Sequence, residues 1–72
     1  MRVWFKKIRE YQKLTHADIS GKVGVSRQYI GMIEAGVATP HPDTAKVIAE
    51  KMHFEEYDVD WTSFYSTEDT KK

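Results

Sequence analysis

Histidine, carboxylate and hydroxyl side chains are the groups in this sequence with the potential for catalysis or metal binding. The three histidines, His16, His41 and His53, are not spaced like zinc ligands, and the chain has no Cys. The carboxylates form no inward-facing pair, Ser, Thr and His follow no triad pattern, and no glycine-rich phosphate loop occurs. We therefore predict no metal site, no cofactor, no small-molecule substrate and no enzymatic activity.

A short polar segment offers hydrogen-bonding chemistry instead. Residues 26–29 read Ser-Arg-Gln-Tyr, in which the guanidinium of Arg27 and the amide of Gln28 each carry several hydrogen-bonding groups. One interpretation is that both are solvated side chains in the first turn of a helix. The other is that they bind another macromolecule, and the elements around them help to decide between the two.

Capping residues divide the middle of the chain into two short helices. Thr15 is a predicted N-cap, and Asp18, three residues later, makes a variant of the capping box. Ser26 is a second N-cap, for a helix over 27–35. A glycine ends each helix, because glycine readily adopts the left-handed conformation. The ending glycines are Gly24 and Gly36, and the inward-facing residues are Ile19, Val23, Ile30 and Ile33. The pattern predicts a helix-turn-helix from about Thr15 to Gly36.

Apolar spacing predicts further helices on both sides of this unit. One covers Val3–Lys13, another covers Asp43–His53, and Asp60 is the N-cap of a short last helix. Their apolar stripes contain Trp4, Phe5, Ile8 and Tyr11; Ala45, Ile48, Ala49 and Met52; and Trp61 and Phe64. The predicted fold is all-α, a compact bundle of four to five short helices. We expect one domain over residues 1–66 and a polar, frayed tail over 67–72.

Charge and composition indicate the cellular location of the protein and the kinds of partner that it binds. It has no apolar run near the roughly 20 residues of a membrane span, and its charged first segment is unlike a signal peptide. These features predict an intracellular, cytoplasmic protein with no membrane partner. Residues 1–34 hold seven Lys or Arg and three Asp or Glu, a net +4, whereas residues 35–72 hold four and eight, a net −4. The asymmetry indicates two surfaces with different partners, or solvated faces that differ by chance.

The segment from Leu14 to Gly36 resembles the helix-turn-helix of the Cro/repressor (XRE-like) family. That family has a Leu-Thr-Gln start, a Val-Gly turn, a Ser or Thr cap and an Ile-Glu-x-Gly ending. The matching positions here are Leu14, Thr15, Ile19, Val23, Gly24, Ser26, Ile30, Ile33, Glu34 and Gly36. With its flanks, the resemblance covers about residues 5–65.

The resemblance implies a role for individual residues. The helix that starts at Arg27 would enter the DNA major groove, where Arg27 can pair with guanine and Gln28 with adenine. His16 and Ser20 would lie near the phosphates. The DNA-binding residues that it implies are His16, Lys22, Ser26, Arg27, Gln28, Tyr29 and Met32. It also implies that Arg9 and Glu34 form a structural ion pair, since a partly buried charge must be paired.

Three departures from the family pattern weaken the expected DNA binding. His16 replaces the family's Gln, and Gly31 interrupts the recognition helix at a cost of about 1 kcal/mol relative to Ala. The loop over 37–39 lacks the Lys or Arg that the family usually carries, although phosphate contacts supply much of the affinity for DNA. We therefore expect the isolated chain to bind DNA weakly.

Two functions remain open at this point. By its length and motif the chain resembles small Cro-like, modulator or antirepressor proteins of temperate phages. The first function is a phage-switch regulator that binds double-stranded operator DNA weakly alone and more tightly as a homodimer or with a partner repressor. The second is an antirepressor that binds a repressor's DNA-reading face. Its partner surface would contain Gly31 and the acidic residues Glu55, Glu56 and Asp58, which otherwise belong to a solvated turn.

Overall fold

The computed structural model describes residues 1–65, which form four α-helices and two 3₁₀ helices without a strand. The α-helices are α1 (Val3–Tyr11), α2 (His16–Val23), α3 (Arg27–Ala35) and α4 (Pro42–Lys51), and the 3₁₀ helices are Phe54–Tyr57 and Trp61–Tyr65. The predicted all-α bundle with a helix-turn-helix is therefore confirmed. None of these helices is long and apolar enough to cross a membrane. The frayed tail predicted over 67–72 lies outside the described residues.

The caps of α2 and α3 form as the sequence predicts. The Thr15 hydroxyl accepts a hydrogen bond from the Asp18 N–H at 3.0 Å, and the Asp18 carboxylate accepts one from the Thr15 N–H at 2.9 Å. The Ser26 hydroxyl accepts a hydrogen bond from the Tyr29 N–H at 3.0 Å. These side chains satisfy N–H groups that have no partner within the first turn of a helix. Local hydrogen bonds thus fix the start of each helix of the helix-turn-helix.

The ends of α1 and α4 differ from the prediction. Helix α1 ends at Tyr11 rather than Lys13, because Lys13 adopts the left-handed region with φ 60°. The Leu14 N–H then bonds to the Arg9 carbonyl at 3.0 Å, as in a Schellman ending. Helix α4 ends at Lys51 rather than His53, which has φ 58°. It also begins one residue early, at Pro42, since proline is well suited to the first position of a helix.

The core is a single cluster of apolar side chains from all four α-helices and both 3₁₀ helices. Its buried members are Phe5, Ile8, Ile19, Ile30, Ile33, Ala45, Ile48, Met52, Phe54 and Phe64. The predicted inward residues Val23, Ala49 and Trp61 are only partly buried against this cluster. Tyr11 does not belong to the core, since it is 78% exposed and its ring meets Tyr57 edge-on at 5.9 Å.

The segment after α4 folds back along the bundle. The predicted short last helix is present as a 3₁₀ helix, and the Asp60 carboxylate accepts a hydrogen bond from the Thr62 N–H at 3.0 Å. Before it, residues 54–57 form a second 3₁₀ turn that the sequence did not predict. The two turns bring Phe54 and Phe64 together, with ring centroids 5.8 Å apart, against α4 and the Trp4 ring of α1.

Arg2 joins three distant parts of the chain. Its guanidinium donates to the carbonyls of Ile33 and Ala38 and, at 3.2 Å, to the carbonyl of Phe64. It also donates to the Thr39 hydroxyl at 3.0 Å. The same group lies 5.5 Å from the centre of the Phe64 ring. Arg2 therefore holds the end of α3, the α3–α4 loop and the last 3₁₀ helix in register.

Candidate functional site

Helix α3 has one anchored face and one exposed face. Ile30 and Ile33 are fully buried, whereas Arg27 and Gln28 are exposed in the first turn. Met32, one turn further, is 38% exposed, and Tyr29 is partly buried against the core. The polar side chains thus project from a helix that is rigidly held from behind, as direct contact with another macromolecule requires.

Helix α2 lies beside α3 and adds further polar groups. Lys22 is exposed in its last turn. In its first turn, the hydrogen bonds from the Thr15 backbone and hydroxyl hold the pKa of the Asp18 carboxyl below its ordinary value. Ser20 donates to the Ala17 carbonyl at 3.0 Å within the same helix. The structure places Lys22 and Arg27 on either side of the turn between the two helices.

His16 is the first residue of α2, and its side chain lies against α3. Its Nε2 lies 3.2 Å from a carboxylate oxygen of Glu34, and its side chain is 34% exposed. Nδ1 and Cε1 of the same ring lie beside Gly31, where an added Cβ would be 3.6 Å from Nδ1. Gly31 thus faces an imidazole from the neighbouring helix. The sequence did not predict this contact, because it joins residues on two different helices.

Glu34 and Arg9 form a two-point ion pair at the centre of this arrangement. Arg9 Nε donates to Glu34 Oε1 at 2.7 Å, and Arg9 Nη2 donates to Oε2 at 3.1 Å. The Glu34 side chain is 6% exposed, and that of Arg9 is 16% exposed. Arg9 Nη1 also donates to the Leu14 carbonyl at 2.9 Å. The pair therefore fastens α3 to α1 and to the start of the helix-turn-helix.

The protonation of Glu34 links this network to pH. Burial alone would raise the pKa of Glu34, but the hydrogen bonds from Arg9 and His16 outweigh it and hold the pKa below its ordinary value. A carboxyl with a lowered pKa in the folded state stabilises the fold above its unfolded pKa, about 4.3 for Glu. That contribution is lost as the pH falls below this value and through the folded pKa.

We therefore expect the stability advantage of the wild type over a Glu34→Gln variant to be constant near neutral pH and to shrink below about pH 4. Urea unfolding of both proteins at a series of pH values measures it. A difference in unfolding free energy that stays constant down to pH 2, with both proteins folded, would contradict the lowered pKa.

Gly31 and Gly21 allow a matched test of the packing between α2 and α3. Each lies inside a helix, where Ala is favoured over Gly by about 1 kcal/mol. An added Cβ at Gly21 meets nothing within 4 Å, and one at Gly31 meets only ordinary contacts with His16. We expect both Gly21→Ala and Gly31→Ala to raise the unfolding free energy by up to about 1 kcal/mol. Thermal and urea denaturation measure the change, and a loss confined to Gly31→Ala would show that its contact with His16 cannot adjust.

The loop after α3 carries no cation on its exposed residues. Val37 is 71% exposed, and Thr39 is exposed. The positive charge at this loop belongs to Arg2, whose guanidinium is engaged with the carbonyls and the hydroxyl described above. This role of Arg2 was not predicted, since its partners are more than 30 residues away in the sequence. A single Arg before the first apolar stripe does not indicate that such distant contacts form.

The acidic residues lie on other elements than the exposed face of α3. Glu55 and Glu56 are exposed on the first 3₁₀ helix, and Asp58 follows it with φ 61°. Gly31, which was predicted to share a partner surface with them, lies on α3 against His16. The described part of the chain therefore has a mixed polar face on α2 and α3 and an acidic end beyond α4.

One group of side chains has the composition of a metal site. His53, Glu55 and Glu56 are exposed, and their ligand atoms all lie within 4.8 Å of one another. The spacing of His and Cys along the chain, which predicted no metal site, does not reveal this group because two of its three members are carboxylates. Exposed groups of this kind are common without a metal.

Comparison with known proteins gives a family match and a similar regulator. A protein-family model described as helix-turn-helix matches residues 5–57. The chain is 35% identical over 65 residues to a protein of Bacillus subtilis (strain 168) named uncharacterized HTH-type transcriptional regulator YqaF. That alignment covers 90% of this chain and 79% of the relative. No solved structure gives a significant match.

Proposed function

This chain belongs to the XRE-type helix-turn-helix family, and from that premise we propose that it regulates transcription by binding double-stranded operator DNA. The observation that carries the proposal is the exposure of Arg27 and Gln28 in the first turn of a helix anchored by Ile30 and Ile33. Arg can donate two hydrogen bonds to guanine O6 and N7, and Gln can pair with adenine N6 and N7 in the major groove.

The other polar residues of the two helices would support this contact. Lys22 would bind a phosphate, and Tyr29 and Met32 would contact the backbone or a thymine methyl. Ser26 would position the first turn through its cap. His16 would lie at the edge of the same surface. The proposed role of this surface is binding rather than catalysis. We propose that the protein acts in the cytoplasm, which is that of the host cell if a phage encodes the chain.

Affinity for DNA is expected to be low for the isolated chain. Few cations line the proposed surface, and the α3–α4 loop adds none from its own residues. Because phosphate neutralisation supplies much of the affinity for DNA, a second binding unit would be needed for tight binding. We therefore propose a small phage-switch regulator that acts as a homodimer or together with a partner repressor.

Selection of binding sites from a random duplex library tests this function. We expect enrichment of a short motif containing guanine and adenine steps, and binding that weakens as salt rises. The selected duplex is then compared with a scrambled duplex in a fluorescence-anisotropy titration. Equal affinity for the two duplexes, or no enrichment from the library, would overturn operator recognition.

The acidic end of the chain favours a second candidate, an antirepressor. Its exposed carboxylates include Glu55, Glu56 and Asp58. Such a surface repels DNA and is complementary to the basic DNA-reading face of a repressor. Titration of the purified protein into a preformed complex of a helix-turn-helix repressor with its operator separates the two candidates. Release of free DNA supports the antirepressor, and a larger complex with DNA supports joint binding.

A further inference from the structure

An apolar groove lies between the second half of α4 and the two 3₁₀ helices. Ala49, Phe54, Val59 and Trp61 line its interior, and its volume is about 240 Å³. A water molecule occupies about 30 Å³ of liquid, so the groove has room for a bulky side chain. No residue of α2 or α3 lines it. A molecule bound here would leave the exposed face of α3 accessible.

Carboxylates surround this apolar interior. Glu50, Glu55 and Asp60 line the groove itself, and all three are exposed. Lys46 lies close by, with its Nζ 5.0 Å from the centre of the Trp61 ring. That contact shows that a face of Trp61 already accepts a cation. The groove thus combines an apolar anchor site with a rim that attracts positive charge.

The charge of the rim restricts the class of partner. Phosphates of nucleic acids and anionic lipids would be repelled by the carboxylates. A second copy of this chain, docked groove to groove about a two-fold axis, would bring like charges together. A larger cleft between α1 and the first 3₁₀ helix has Lys7 and Glu56 on its walls, so it offers no such single sign of charge.

We propose that this groove docks a basic amphipathic helix of another protein. One apolar side chain of that helix would enter between Val59 and Trp61, and Lys or Arg residues beside it would pair with Glu50 and Glu55. Docking of an apolar helix face in a hydrophobic groove is a general mode of recognition. The inference rests on the proposed partner function and specifies its chemistry, but it requires no DNA binding by α3.

A designed peptide tests the groove directly. The probe is a helical peptide of about 15 residues, with Leu at positions i, i+3, i+4 and i+7 and Lys at the flanking positions. Two matched peptides replace all Lys by Glu, or all Leu by Ser. We expect the Lys–Leu peptide to shift the NMR signals of the groove residues and the Trp61 indole. Both matched peptides should bind at least about tenfold more weakly.

Paired charge variants provide the control. Glu50→Lys/Glu55→Lys changes the rim, whereas Glu10→Lys/Asp43→Lys changes the net charge equally at exposed positions that do not line the groove. After circular dichroism shows both to be folded, the rim variant should lose about tenfold in affinity for the peptide. The control variant should lose less than about threefold. Arg27→Ala should keep full peptide binding, so a failure of the DNA proposal leaves this test intact.

Three results would overturn the docking proposal. Signals that shift on the exposed face of α3 rather than in the groove would place the peptide elsewhere. Equal losses of peptide affinity in the two charge variants would show that binding depends only on the net charge of the protein. Sedimentation showing that the wild type self-associates and that the rim variant is a monomer would identify a second copy of the chain as the occupant.

Discussion

Arg27→Ala should weaken binding to the selected operator by about 1–3 kcal/mol, which is a loss of roughly 5- to 150-fold. The guanidinium is exposed in the first turn of α3, so its removal leaves the fold intact and takes away the two donors that we propose bind a base edge. The loss should be largest for the cognate duplex, and discrimination against one base pair should relax. Anisotropy titrations with single-base variants of the operator measure both effects.

Two substitutions provide the comparison for Arg27. Lys22→Ala removes a proposed phosphate contact, so it should weaken binding to all duplexes about equally and reduce the salt dependence. Lys51→Ala removes an exposed positive charge at the end of α4, and its effect should be small. If Arg27→Ala and Lys51→Ala gave the same affinities, base recognition by Arg27 would be ruled out.

Glu34→Ala should cost about 2–4 kcal/mol of unfolding free energy, because it leaves the partly buried Arg9 guanidinium without its carboxylate partner. A domain of 72 residues is stable by roughly 4–11 kcal/mol, so this change removes much of its stability. His16 also loses a hydrogen-bond partner. Urea denaturation followed by tryptophan fluorescence measures the change.

A double-mutant cycle separates the ion pair from the packing around it. Replacing both charges, as in Arg9→Met/Glu34→Leu, removes the pair without leaving a buried charge, so the double variant should be more stable than Glu34→Ala. Arg9→Ala should resemble Glu34→Ala. If the losses from the two single variants simply added in Arg9→Ala/Glu34→Ala, the two side chains would be energetically independent.

Local signals account for what the sequence predicted well. The caps at Thr15 and Ser26 involve residues only three positions apart, so the pattern contains both partners of each hydrogen bond. The buried positions of α3 follow from helical periodicity. The ends of α1 and α4 were less predictable, because Lys13 and His53 adopt a left-handed conformation that is uncommon for residues other than glycine.

Non-local contacts account for what the sequence did not predict. The ring of His16 over Gly31 depends on how α2 packs on α3. The apolar groove depends on two 3₁₀ turns that return to α4, and its residues are spread over positions 49–61. Tyr11 has the spacing of a core residue, but the bundle leaves it exposed beside Tyr57. Spacing along one helix contains no information on where its neighbours end.

The contacts of Arg2 affect the order in which parts of the protein can fold during synthesis. The ribosome adds Arg2 to the chain 62 residues before Phe64, whose carbonyl is one of the acceptors of the Arg2 guanidinium. Until Phe64 emerges from the exit tunnel, the nascent chain can form the caps of α2 and α3. It cannot yet form the Arg2 hydrogen bond that joins the end of α3 to the last 3₁₀ helix. All residues of the helix-turn-helix are therefore synthesised before Arg2 can make its complete set of hydrogen bonds.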